Sequence, residues 1–323
     1  MPIIKVTDVA YVRFAAPDLD QMESFLLDFG LTRQHRDEQT LYMRGTGPDH
    51  HLHVTHLADE PQFIGMALNA NNMADLEKLS EADGASALEE IDEPGGGFRV
   101  RMTDPNGFQV ETVFGQVRLE PLPLNELIGP DHGPGHPRVR DVQRAEKIPC
   151  PVLRLGHVVL NVSDCDAADE FYHSHFGFLQ SDIAFVPGSD GELALVFHRC
   201  DKGKDYVDQH SLLLTKSKEP GLAHIAFEVE DINALFVGHE YLHLKEYEHS
   251  WGIGRHTPAA NIFDYWFDNY GNRVEHFFGG DLLNEDDETR VHDNISAILE
   301  SQWGARVSER RASLKTNYDP LRT

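Results

Sequence analysis

Between Ile262 and Phe278 apolar and polar positions alternate so regularly that two strands and their turn can be read directly. Ile262, Asp264 and Trp266 fall on one face, Phe263, Tyr265 and Phe267 on the other, the period of two that a strand imposes. Asp268-Asn269-Tyr270-Gly271-Asn272 reads as a turn, with Gly271 free to take a positive φ. A second strand, Arg273 to Phe278, then carries Glu275 back across from the first. A carboxylate inside so aromatic a run is costly to bury unless a cation meets it. A metal or an arginine would serve, and histidines upstream favour the metal.

Those histidines sit in matching strands. The segments L-G-H-V-V-L-N-V-S-D and L-A-H-I-A-F-E-V-E-D each have a small residue, a histidine, alternating apolar positions and an acidic end. One face carries His157, Val159 and Asn161, or His224, Ala226 and Glu228. The other is wholly apolar: Val158, Leu160 and Val162, or Ile225, Phe227 and Val229. A lone strand histidine is usually a core residue with a satisfied ring. Two in repeated contexts, with a strand-borne glutamate, form a ligand set that binds Fe(II) on one side and leaves positions open.

The same layout recurs in weaker form over the first 115 or so residues, a repeat that governs the reading of the whole chain. V-A-Y-V-R-F-A-A-P-D leads into a helix ending at F-G, as does the segment after Gly156. Asp18 and Asp164 are expected N-caps, and Gly30 and Gly177 the glycines that end the helices. The strand at 64–70 parallels that at 223–229, and D-P-N-G-F-Q-V-E parallels D-N-Y-G-N-R-V-E. Each half thus holds two strand–helix–strands units, an α+β chain of four. Ala10 and Gly65 are expected where the second half has His157 and His224; only Glu111 matches a ligand position. Histidines that the sister unit lacks are not needed for the fold, so the first domain should be metal-free. The expected divisions are a domain at 1–120, a Pro/Gly-rich linker at 121–152, a catalytic domain at 153–280 and a tail at 281–323. His132 and His136 read as solvated linker residues, and His198 and His239 as structural or surface ones. The run from His50 to His56 reads as a surface or interface strand. Ile295, Ile298 and Leu299 mark a short amphipathic helix, followed by an extended tail.

Composition narrows the classes. The 323 residues carry a formal net charge of −26, which disfavours nucleic-acid binding because phosphate neutralisation needs a basic face. There is no run of about 18 apolar residues, the length a membrane span needs. The first residues enter a strand pattern directly and lack a signal peptide's layout. Three scattered cysteines have neither even count nor zinc spacing. A reducing cytoplasm with ordinary thiols is expected.

The pattern H…H…G-R-H…F-D-Y-W…G-N-R-V-E-H resembles the type I extradiol catechol dioxygenases of the vicinal oxygen chelate superfamily. The resemblance spans nearly the whole chain, with its strongest motifs between Leu155 and Leu283. It implies βαβββ modules paired into cupped mixed sheets, and iron held by His157, His224 and Glu275. It also implies catalytic roles for His210, His256 and Tyr265, with a catechol and O2 as substrates and a homo-oligomeric assembly. His210 would move the diol proton, while Tyr265 and His256 would hydrogen-bond the bound diol. Fe(II) is the expected metal and Mn(II) the other candidate; zinc would bind but lacks the redox chemistry. Trp251, Phe263 and Trp266 are expected to give an apolar pocket, with core packing as their alternative role. Arg255 is expected either to meet a substrate carboxylate or to pair with Asp264 or a main-chain oxygen. A biphenyl-diol, an alkylcatechol and a carboxylated catechol all fit. Three other functions share the fold: a metal-dependent isomerase or lyase of the glyoxalase type, a ligand-sequestering protein like the bleomycin-resistance proteins, and a keto-acid-using dioxygenase of the 4-hydroxyphenylpyruvate type. The first and last lack the expected histidine–tyrosine set, and a retained ligand trio argues against the second.

Overall fold

A computed structural model describes residues 1–124, 145–293 and 295–306. His132, His136 and the end of the tail lie outside the described residues. In the first half, β1 (Val6–Ala16), α1 (Leu19–Phe29), β2 (Thr32–Arg36), β3 (Thr40–Arg44) and β4 (His53–Leu57) make one unit. A second follows with β5 (Gln62–Ala70), α2 (Met73–Leu79), β6 (Glu89–Glu90), β7 (Phe98–Thr103) and β8 (Gln109–Phe114). The second half repeats the plan with β9 (Val152–Val162), α3 (Cys165–Phe176), β10 (Leu179–Phe185), β11 (Leu193–Arg199), β12 (Val207–Asp208) and β13 (Leu212–Lys216). Then come β14 (Gly221–Val229), α4 (Ile232–Leu244), β15 (His249–His256), β16 (Ile262–Phe267) and β17 (Arg273–Phe278). The chain ends in β18 (Leu282–Leu283), β19 (Arg290–His292), α5 (Ile295–Leu299) and β20 (Ser301–Gly304).

Each half closes into one mixed sheet because its two modules meet at their first strands. The first sheet runs β2-β3-β4-β1-β5-β8-β7-β6, the second β19-β10-β11-β13-β9-β14-β17-β16-β15-β20. β9 is antiparallel to β14 and parallel to β13, and β14 is parallel to β17. This is the α+β architecture of the vicinal oxygen chelate fold. The helix ends follow the expected chemistry. Asp18 accepts from the amides of Asp20 and Gln21, Asp164 from that of Ala167, and Gly30 and Gly177 end their helices at φ 108° and 72°. No helix among the described residues is long and apolar enough to cross a membrane. Cys150, Cys165 and Cys200 are buried and unpaired.

The halves share one continuous apolar core. The end of α1 presses on the back of β17, where Phe29 stacks on His276 at 3.7 Å and its carbonyl accepts from His276 Nε2 at 2.7 Å. Asp28 accepts from the hydroxyls of Tyr241 and Tyr247. A side chain at Gly30 would place its Cβ 1.7 Å from the Cys150 carbonyl oxygen, so this junction requires glycine.

Two sequence expectations are corrected. His51 and His53 are buried at 4% and 2% exposure, so the histidine run is no surface strand. His53 stacks on Phe14, and His51 packs against Tyr11 and Tyr42. Burial, the dominant cause for each, pushes both imidazoles down to about 3. The repeat also shifts by one residue: Tyr11, not Ala10, stands where the second half has His157. Tyr11 pairs with Ala67 and Ala67 with Glu111, as His157 pairs with Ala226 and Ala226 with Glu275.

The first sheet meets its central carboxylate with arginine. Glu111 accepts from Arg13 Nε at 3.0 Å, from Arg13 Nη2 at 3.1 Å and from the Tyr11 hydroxyl, and Arg99 and Arg101 lie 3.7 Å away. Position 65, the counterpart of His224, is closed, since a Cβ there would stand 1.9 Å from the Gln109 carbonyl oxygen. Gly65→Ala should therefore cost about 1–3 kcal/mol through overpacking. Urea unfolding checks this, and an unchanged midpoint would show that β8 yields freely.

Candidate active site

The second sheet puts its chemistry on four neighbouring strands, β9, β14, β17 and β16. Ala226 of β14 pairs with both His157 of β9 and Glu275 of β17, and Glu275 pairs with Tyr265 of β16. His157, Glu275 and Tyr265 therefore share a row, and His224, two residues before Ala226, shares the face. His157 Nε2 lies 3.1 Å from Glu275 Oε2 and His224 Nε2 lies 3.2 Å from the same oxygen. Asn261 Nδ2 donates to the other carboxylate oxygen at 3.2 Å. His157 and His224 are about 5% exposed and Glu275 fully buried.

These residues fit a divalent metal on the structure's own terms. Their three ligand atoms all lie within 4.8 Å of one another. Burial, the largest cause, pushes both imidazoles down to about 3 and outweighs the pull of Glu275 on His224. Both rings are thus neutral near pH 7, with lone pairs for a cation. His224 Nε2 is buried and not aligned to donate to Glu275, and it has no other hydrogen-bond partner. An orphaned nitrogen of this kind, beside a buried carboxylate, is what a missing ligand bond leaves behind. Two imidazoles and one carboxylate suit Fe(II) or Mn(II).

His157 and His224 line a cavity of about 650 Å³, with His210, His256 and Tyr265 also in its wall. The His210 ring sits 4.2 Å from that of His157 and packs edge-on against Phe197. His256 Nε2 meets the Tyr265 hydroxyl at 2.9 Å. Tyr265 in turn packs edge-on against His224 at 5.0 Å and stacks on Trp251.

Two residues that sequence reasoning missed orient His210. Gln209 donates its side-chain amide to Asp182 Oδ2 and accepts from His210 Nδ1 at 2.7 Å. Asp182, fully buried and also accepting from Arg290 and His292, takes the Gln209 Nε2–H and so turns the amide oxygen toward His210. His210 must then carry its proton on Nδ1, which leaves the basic lone pair on Nε2. Burial, with His157 and His198 beside it, pushes the His210 imidazole well down, so it is neutral. A glutamine next to a histidine gives no periodic signal; only the fold brings Asp182 to it.

The four expected pocket residues are not in the cavity wall. Trp251 and Phe263 pack behind Tyr265 as a separate apolar cluster. Trp266 points to the opposite face, where its indole donates to Asp264 at 2.6 Å. Arg255 spends its Nε on the Ala260 carbonyl oxygen at 2.7 Å, and Asp264 pairs instead with His239 and His249. The apolar wall is built by Val159, Leu195, Phe197 and Leu213 from the sheet, with Ile298 and Leu299 from α5.

Sheet topology and ligand geometry together define the class. Residues 154–276 match the model of the Glyoxalase/Bleomycin resistance protein/Dioxygenase superfamily. Metapyrocatechase 2 of Cupriavidus necator is 27% identical over 313 residues, which cover 94% of this chain and 91% of that one. Among solved structures, the Mn(II)-bound glyoxalase from Novosphingobium aromaticivorans superposes with a TM-score of 0.80 at 23% identity, covering 98% of this chain and 97% of the other. Homoprotocatechuate 2,3-dioxygenase from Brevibacterium fuscum, in complex with 3,4-dihydroxyphenylacetate, superposes at 0.76 with 20% identity, covering 94% and 90%.

Gln209→Leu should release the His210 tautomer. Nitrogen NMR of the labelled protein should show Nδ1-protonated His210 in the wild type and a mixture in the variant. An unchanged ring signal would remove Gln209 from this role.

Proposed function

We propose that this protein is an extradiol dioxygenase, which uses O2 to cleave the ring of a catechol beside its two hydroxyls. Fe(II) held by His157, His224 and Glu275 is the centre. The observation that carries the reading is the shared cavity: the ligand histidines His157 and His224 open onto the same space as His210 and the His256–Tyr265 pair, with Glu275 buried behind them. A metal-dependent isomerase of the glyoxalase type would need the trio but gives no work to that second set. Similarity to metapyrocatechase 2 along nearly the whole chain supports the same reading.

A redox-capable metal bound by the trio would supply the chemistry that lets ground-state O2 react with a closed-shell ring. Everything else falls to the chain's own residues. Neutral His210, with its lone pair on Nε2, takes a proton from the entering diol and can return it later in the reaction. The Tyr265 hydroxyl, held by His256, offers a fixed hydrogen bond to a diol oxygen beside His224, in a site where water is scarce. Apolar side chains on the far wall exclude water and favour a ring with an uncharged apolar substituent, such as a biphenyl-diol or alkylcatechol. One protein face thus positions the substrate beside its reaction partner, a proximity effect.

Anaerobic loading with Fe(II), then a panel of catechols in air, tests the reading through the yellow ring-opened product. Turnover with zinc or nickel on a glyoxalase-type substrate, and none on any catechol, would replace it. His224→Ala and Glu275→Gln should each lose iron and activity together, as metal analysis would show. Tyr265→Phe should keep iron and melting temperature but lower turnover by roughly 10–10³-fold. Wild-type turnover in that variant would remove the tyrosine from the site. His210→Ala should retain iron and lose on the order of 10²-fold or more in rate. Loss of iron in this variant would make His210 a ligand instead.

A further inference from the structure

Side chains alternate along β16, so while Tyr265 faces the cavity its neighbour Asp264 points to the other face, beneath α4. Asp264 is fully buried. Its Oδ1 accepts from His249 Nε2 at 2.8 Å, and its Oδ2 accepts from the Trp266 indole at 2.6 Å and lies 3.0 Å from His239 Nδ1. Among the described residues its ion-pair partners are these two histidines, with no lysine or arginine. Burial works against ionisation here, but His239 and His249 outweigh it and hold the carboxyl down at about 2. Beyond the indole N–H, imidazoles are the groups that meet this carboxylate among the described residues.

A third imidazole joins them. His239 and His243 lie one turn apart on α4, the i, i+4 spacing that brings two side chains onto one helix face. The ring centroids of His239 and His243 are 4.5 Å apart, those of His239 and His249 5.0 Å, and those of His243 and His249 5.5 Å. All three rings pack on the Trp266 indole. One ligand atom each from His239, His249 and Asp264 lies within 4.8 Å of the others. The Trp266 N–H orients the carboxylate from behind, as outer partners of metal ligands commonly do. His239 and His249 are partly exposed and His243 is exposed, so an ion has a way in.

We propose that His239, His249 and Asp264, with His243 completing the set, form a second metal site that takes zinc or a similar borderline divalent ion. Three nitrogens and one oxygen suit a closed tetrahedral site, which leaves no position for a substrate. Its role is structural: it clamps α4 to β15 and β16, the strands that carry His256 and Tyr265. The proposal does not depend on ring cleavage, because the site shares no ligand with the first centre.

Zinc titration of the His224→Ala protein, which lacks a ligand of the first centre, isolates this site. We expect one zinc per chain by metal analysis, a tetrahedral cobalt spectrum when Co(II) replaces it, and a melting temperature that rises with zinc. Adding His249→Gln, which keeps a donor for Asp264 but removes the imidazole, should weaken binding by on the order of 100-fold or more. Adding His243→Ala leaves every hydrogen bond of Asp264 intact, so it serves even if His249→Gln fails to fold; it should weaken zinc binding about tenfold or more. Failure of the His224→Ala protein to bind zinc, or unchanged affinity in His243→Ala, would overturn the site and leave a histidine–aspartate ion pair.

Discussion

A carboxylate at the centre of a sheet, closed off from water on every side, has to be met by positive charge or by strong donors. Moving an unpaired carboxylate into such a place costs several kcal/mol even after relaxation. The molecule faces this problem at the same sheet position in each half, and the two answers explain its asymmetry. Glu111 is met by guanidinium groups that belong to the chain: Arg13 at contact distance, Arg99 and Arg101 just beyond. Glu275 is met by two imidazoles that burial keeps neutral. The first answer is complete within the protein, whereas the second leaves an orphaned ring nitrogen and calls for an ion from outside.

Backbone geometry keeps the two answers from being exchanged. Position 65 has no room for any side chain against the Gln109 carbonyl, while position 224 carries its imidazole into open cavity. In the first half Arg13 fills the space on the carboxylate face; in the second its counterpart Val159 is short and leaves that space to the cavity. One half became a packed, internally neutralised support and the other kept a void. The support works through contact, since the end of α1 pins β17 at His276, immediately next to Glu275 in sequence. A strand held from behind at that residue gives the carboxylate before it a fixed position.

Asp264 repeats the constraint on the reverse of the same sheet, where histidines again stand where an arginine would otherwise be needed. Two histidine–carboxylate clusters thus lie on opposite faces of the sheet, and Tyr265 sits between them, paired with Glu275 of β17 and next to Asp264 on β16. The Asp182–Gln209–His210 chain adds a third device, in which a buried carboxylate settles the tautomer of an imidazole through an amide.

What the sequence determined by itself follows from local periodicity. The alternation along 157–162, 224–229 and 262–278 put His157, His224 and Glu275 on the polar faces of their strands, because a strand's side chains can point only two ways. Asp18, Asp164, Gly30 and Gly177 announced helix ends, because capping is decided within a few residues. The duplication was legible for the same reason, although its register was misread by one residue at Tyr11, since only the pairing of β1 with β5 and β4 sets it. Tertiary structure decided the rest. Nothing local tells Trp266 which face of its strand lies over the cavity, or brings α5 back from the chain's end to complete the wall. Arg255 found a nearby carbonyl before any substrate, and Gln209 gained its function from Asp182, 27 residues away. Apart from the local Arg255 bond, those contacts join residues far apart in the chain, so they exist only once strand order and register have placed them together.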